Sequence, residues 1–132
     1  MSAIASFNIN EDDASTVVVT YDPVSIVGSL ATWATAGNTS AGNKVITTLS
    51  SPRSSSRSSD KFTIKVSHPK EVLNSDTGVY SVTGTAIANL SITIPDTFTS
   101  SDREVLANTL HELLTDGIGP VHAMIHDNIL VW

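Results

Sequence analysis

"GTAIANLSITIPDTFTSSDREVLANTLHELLTDG" runs from Gly84 to Gly117 and changes period in its middle. From Gly84 to Ile94 the residues alternate. Ala86, Ala88, Leu90, Ile92 and Ile94 share one side; Ile87, Asn89, Ser91 and Thr93 share the other. Alternation of this length predicts a strand with one face on a core, and Pro95 closes it. Past residue 100 the apolar residues recur at helical spacing: Leu106, Leu110, Leu113 and Leu114. Ser101 and Glu104 have capping-box spacing, Asp102 suits the positive end of a helix dipole, and Gly117 suits the C-terminal stop. A second short helix is expected from Pro120, with Val121, Met124 and Ile125 on its apolar side. A strand followed by a helical end sets the class as α+β.

Upstream of residue 84 the text is strand-like. "AIASFNI" (3–9) and "STVVVTY" (15–21), joined by the polar "NEDDA", predict an N-terminal β-hairpin over residues 1–22. Asp22-Pro23 is expected to break that run. "VSIVGSLATWAT" (Val24–Thr35) reads as one further strand with Gly28 as a bulge, and residues 36–43 as a loop. "KVITTLS" (Lys44–Ser50) puts Val45, Thr47 and Leu49 on one side and Lys44, Ile46, Thr48 and Ser50 on the other. A Ser/Arg loop follows. The next strand alternates strictly, with Lys61, Thr63 and Lys65 opposite Phe62, Ile64 and Val66, and is expected to stop at Pro69. Asp76-Thr77-Gly78 marks a turn in the long connection to the strand at 84. The chain of 132 residues therefore reads as one domain: hairpin 1–22, sheet 24–95 and two helices in 100–132.

Two physical arguments carry this layout toward function. The sheet presents more apolar face than two modest helices can cover, and an uncovered face of several hundred Å² is unusual for a monomer. The economical expectation is an obligate homodimer. The second argument is charge. The net charge is −6, yet six of the seven basic residues (Lys44, Arg53, Arg57, Lys61, Lys65 and Lys70) fall within 44–70, with Asp60 the one acid there. That segment carries +5, leaving −11 for the remainder. Cations on one strand face and its turn can neutralise several phosphates together.

Other function classes find little support. With no Cys there is no disulfide framework, thiolate metal site or cysteine nucleophile. His122 and His126 have i, i+4 ligand spacing without a third ligand, and His111-Glu112 has Thr115 where a zincin motif needs its second His. There is no G-x-S-x-G elbow and no phosphate-binding P-loop. His68 falls on the apolar side of its strand and is expected to pack. The expectation is no enzyme, no cofactor and no metal. The N-terminus lacks a charged and apolar leader, and no apolar run reaches the ~20 residues of a membrane span, so a soluble intracellular product with no membrane contact is expected.

"KFTIKV" followed by Pro69-Lys70, "ANLSITIP" ending at Pro95, the acidic helix start leading to "LLTDG", and the spacing from Trp33 to Lys44 together resemble the coat proteins of levivirus-type single-stranded RNA bacteriophages. The likeness is strongest from Trp33 onward. It implies an N-terminal hairpin, a five-stranded antiparallel sheet and two C-terminal helices crossing onto a second subunit, as an intertwined homodimer. Leu106, Leu110, Leu113 and Leu114 would then lie in the dimer interface. It further implies assembly into a T=3 icosahedral capsid in the host cytoplasm, a virion location, and packaged single-stranded genomic RNA, with an operator hairpin as a second RNA partner. The loop near Leu73–Val82 would shape contacts at the symmetry axes. On this likeness Lys44, Thr48, Lys61, Thr63, Lys65 and Asn89 form the RNA-binding face, extended by Arg53 and Arg57. Two positions depart from the family: Ile87 stands where a base-stacking tyrosine is usual, and Ile46 where a polar pocket residue is usual. A non-viral dimeric RNA-binding β-sheet protein is the alternative reading, and a small adhesion-type β domain a third.

Overall fold

A computed structural model describes residues 4–11, 17–52, 54–55, 58–115 and 120–128. The chain forms two compact units, Met1–Thr93 and Ile94–Trp132. The first contains an antiparallel sheet of six strands in chain order: β1 (Phe7–Asn10), β2 (Val18–Val27), β3 (Leu30–Ala34), β4 (Val45–Ser51), β5 (Ser59–Asn74) and β6 (Val79–Pro95), the last running into the second unit. The second unit carries α1 (Ser100–Leu113) and α2 (Pro120–Asp127).

The α+β class and the two helices agree with the sequence reading; the strand count differs by one because β2 does two jobs. Its first half pairs with β1 (Phe7↔Tyr21 to Asn10↔Val18) and its second half with β3 (Asp22↔Ala34 to Val27↔Leu30). Hairpin and five-stranded sheet thus share a strand. Asp22-Pro23 does not break it. The register slips between Pro23 and Ser25, and this irregularity accommodates a residue that has no N–H to give. Gly28 is a turn residue rather than a bulge: its φ of +60° folds β2 directly back into β3.

Pro69 does not end β5 either. The last β4–β5 pair is Val45↔Ser67, so Pro69 lies where β4 makes no demand for its missing donor. β5 and β6 continue past the sheet as a hairpin whose turn is where Asp76-Thr77-Gly78 marks it. Gly78 N donates to Asn74 O at 2.7 Å, with Gly78 at φ +71°.

The helix start shifts two residues forward from the expected Ser101/Glu104 box. Thr99 is the N-cap: its Oγ1 accepts from Asp102 N at 3.3 Å, and Asp102 Oδ2 accepts from Thr99 N at 3.0 Å. Thr-Ser-Ser-Asp offers the same spacing one half-turn earlier, and the longer helix satisfies more backbone groups. The Thr99 backbone and side-chain hydrogen bonds hold the Asp102 carboxyl below its ordinary range. The expected stop at Gly117 lies outside the described residues.

Packing is concentrated at one corner of the sheet. Tyr21 is 1% exposed and stacks on Phe7, its partner across the strands, with ring centroids 5.5 Å apart and planes at 9°. Trp33 meets Phe7 edge-on at 5.6 Å and donates its indole N–H to Ala5 O at 3.1 Å. Burial, with the Glu11 charge second, pushes the Tyr21 phenol up. His68, expected to pack, is an exposed residue, although its Nε2 lies 3.4 Å from the Tyr21 hydroxyl.

Candidate nucleic-acid interface

Strand register decides which side chains share a face. In an antiparallel pair, residues directly opposite point the same way. Thr47 stands opposite Lys65, Leu49 opposite Thr63, and Ser51 opposite Lys61. On the other side of β4, Thr47 faces Thr32 and Leu49 faces Leu30. One row across three strands is therefore Thr32–Thr47–Lys65, and the next is Leu30–Leu49–Thr63. Lys61, Thr63 and Lys65 are exposed, whereas Phe62, Ile64 and Val66 between them are partly covered.

The opposite face is the apolar one. Trp33, Ile46 and Val66 line up across β3, β4 and β5, and Thr48 stands opposite Ile64. Thr48, Phe62, Ile64 and Ile92 border a shallow depression of about 400 Å³ there.

This placement corrects the sequence reading of β4. Its alternation was legible, but its sides were exchanged: Thr47, not Thr48, accompanies Lys61, Thr63 and Lys65. The physical reason is that β4 has no polar face. Val45 and Leu49 stand on one side and Ile46 on the other, with a Thr on each, so periodicity cannot orient it. The missing signal was cross-strand matching. Trp33 on one neighbour and Val66 on the other both select Ile46, which leaves Thr47 to the lysines.

The remaining candidates divide. The residues of β6 that are not exposed, Val82, Ile92 and Ile94, have one parity; Asn89 and Ile87 have the other, and Ile87 is 57% exposed. Lys44 is not part of the open face, because its Nζ lies 2.6 and 2.7 Å from the two Glu11 carboxylate oxygens. Lys61 and Lys65 make no ion pair among the described residues and are exposed. Arg53 and Arg57 lie outside the described residues. Of the helix candidates, Leu106 and Leu110 are half-buried, Leu113 is 40% exposed and Leu114 53%.

His122 and His126 do stack, with ring centroids 5.7 Å apart, and His126 Nδ1 lies 2.5 Å from Asp127 Oδ1. Among the described residues, no three His, Cys, Asp or Glu side chains are grouped to hold a metal.

Residues 2–132 match the family model described as Levivirus coat protein. The capsid protein of Enterobacteria phage f2 is 32% identical over 119 residues, covering 89% of each chain. Among solved structures, the capsid protein of bacteriophage GA superposes with a TM-score of 0.77 at 26% identity, covering 94% of both chains. An unassembled coat protein dimer, described as a bacteriophage RNA-binding dimer, gives 0.70 at 26% identity over 97% of both.

Proposed function

From the premise that the chain belongs to the levivirus coat protein family, we propose that it dimerises, closes into an icosahedral shell and packages single-stranded RNA against the face bearing Lys61, Thr63 and Lys65. Relatives at this similarity are structural capsid proteins and not enzymes, and capsid proteins form the virion. The carrying observation is the division of the sheet. Two exposed lysines, with Thr47, Thr63 and Ser51 beside them, occupy one face; Trp33, Ile46, Ile64 and Val66 occupy the other. A lysine-bearing face suits phosphates, and threonine hydroxyls reach backbone or base groups. An apolar face suits a second subunit. The relative described as an RNA-binding dimer supports dimerisation together with RNA binding.

In this reading Thr47 takes the position at the RNA that the sequence suggests for Thr48, and Lys44 contributes less than Lys61 and Lys65 because Glu11 already neutralises it. Asn89 and Ile87 share the more exposed parity of β6. Ile87 offers a base no flat π-face, so recognition of coliphage-type hairpins is weak and packaging runs chiefly on charge. Assembly takes place in the host cytoplasm, where coat chains and genomic RNA meet.

Expressing the chain alone in bacteria and imaging the product tests the reading. Closed particles of uniform size that contain RNA are the expected result. Monomers without nucleic acid would overturn it. For hairpin recognition, titration of assembly-blocked dimers against a hairpin panel at fixed salt should show that Ile87→Tyr tightens at least one complex by about 1 kcal/mol or more. Nanomolar binding by the unaltered chain would refute the weak-recognition part.

A further inference from the structure

Beyond the last β4–β5 pair, Glu71 of β5 reaches into the loop that joins β3 to β4. Its Oε2 accepts from Asn38 N at 3.2 Å and Asn38 Nδ2 at 2.7 Å. Its Oε1 accepts from Thr39 N at 3.1 Å and Thr39 Oγ1 at 3.3 Å. The loop is folded tightly around this carboxylate. Gly42 N donates to Thr39 Oγ1 at 3.1 Å, and Gly37 N to Asn43 Oδ1 at 2.7 Å. A Cβ on Gly42 would fall inside the Glu71 carboxylate, and one on Gly37 would sit 2.6 Å from the Gly42 carbonyl carbon. Both glycines therefore leave room for close approach.

Four donors converge on Glu71, and the nearby cation does not compete for it. Lys44 borders the same depression as Glu71 but is engaged by Glu11. On β5 itself the ionisable residues flanking Glu71 are His68, beside the Tyr21 hydroxyl, and Lys70, its exposed neighbour. An ionised carboxylate answers donors only; a neutral acid presents an O–H to groups that are themselves donors.

We propose that Glu71 is a proton-operated latch that, when ionised, holds residues 37–42 onto β5 at the root of the β5–β6 hairpin, and that protonation releases this loop while the sheet stays paired. The side-chain amide of Asn38, aided by Thr39 and both backbone N–H groups and opposed by partial desolvation, holds the Glu71 carboxyl below its ordinary range. A depressed carboxyl gives a contribution present above its unfolded pKa and lost as pH falls through the folded value. The latch is thus closed at neutral pH and opens in acid.

Amide hydrogen exchange on purified particles, corrected for intrinsic rates, tests this across the range from neutral down to about pH 3. Protection of residues 37–42 should fall roughly tenfold or more in acid, while protection of β1 and β2 around Tyr21 holds. Glu71→Gln should show the open-loop exchange already at neutral pH, and Glu11→Gln should leave the acid response in place. Simultaneous loss at both regions in the unaltered protein, or an acid response that Glu11→Gln removes, would overturn the latch. So would unchanged protection in Glu71→Gln. The profile of the unaltered protein decides the matter even if Glu71→Gln does not fold.

Discussion

Two apolar regions of this chain are finished in different ways. Around Tyr21, aromatic rings from β1, β2 and β3 close on one another and leave Tyr21 1% exposed. Along α1 and its C-cap a four-leucine stripe is just as legible in sequence, yet no residue of that helix is buried within the chain. The first region is complete in one copy. The second has apolar surface that one copy does not cover, which is the signature of an element that works in an assembly.

The widest gap between the two should appear when a charge is placed on the helix stripe. Leu113→Asp, and likewise Leu110→Asp, would lose assembly outright, since an unpaired charge in a subunit interface costs several kcal/mol. Native particle gels or electron microscopy read this. Normal particles from Leu113→Asp would break the comparison, by showing that the stripe remains in solvent. At the corner, Tyr21→Ala should cost roughly 3–5 kcal/mol in denaturant unfolding, a loss internal to each subunit. The same corner should weaken in alkali. Burial raises the Tyr21 phenol, so its contribution is whole below the unfolded value and fades as pH climbs through the folded one. An absorbance titration of phenolate formation checks the order of events.

Smaller effects sharpen the contrast between the sheet faces. Removing Lys61 and Lys65 together should lower RNA content and reduce the salt dependence of binding by about one to two phosphate equivalents, with subunit stability little changed. Thr47→Ala should weaken RNA binding by about 1 kcal/mol, whereas Thr48→Ala should act on dimer stability instead. Equal effects on RNA binding would return β4 to the orientation expected from sequence. Least of all, Thr99→Ala should cost about 1 kcal/mol through loss of the α1 cap, and Ser101→Ala within about 0.5 kcal/mol.

What could be read from the sequence follows which signals are local. The β6 alternation, the α1 leucines, Pro120 at the start of α2 and the Gly78 turn each rest on residues close in sequence, and each stands where expected. The errors came where a distant strand decides. Pro23 and Pro69 look like terminators, but they sit at a register slip and beyond the last β4 pair, where no donor is required of them. Thr47 and Thr48 are chemically identical, so only their neighbours on β3 and β5 tell them apart. Glu71 was invisible because nothing in "KEVLN" signals a loop some thirty residues upstream; its partners Asn38 and Thr39 are 33 and 32 positions away.

The in-order arrangement of β1 to β6 has a consequence for how the protein is made. Each strand pairs only with its neighbours in the chain, so every ladder closes a short segment, and the entropy of closing a segment grows only slowly with its length. Such low-contact-order pairing needs no residue that the ribosome has yet to deliver, beyond the next strand. The sheet can therefore set its registers progressively during synthesis. The leucine stripe of α1 is delivered afterwards, once all six strands have been made. That stripe is thus made late, and the nascent chain spends little time with it exposed to wrong partners.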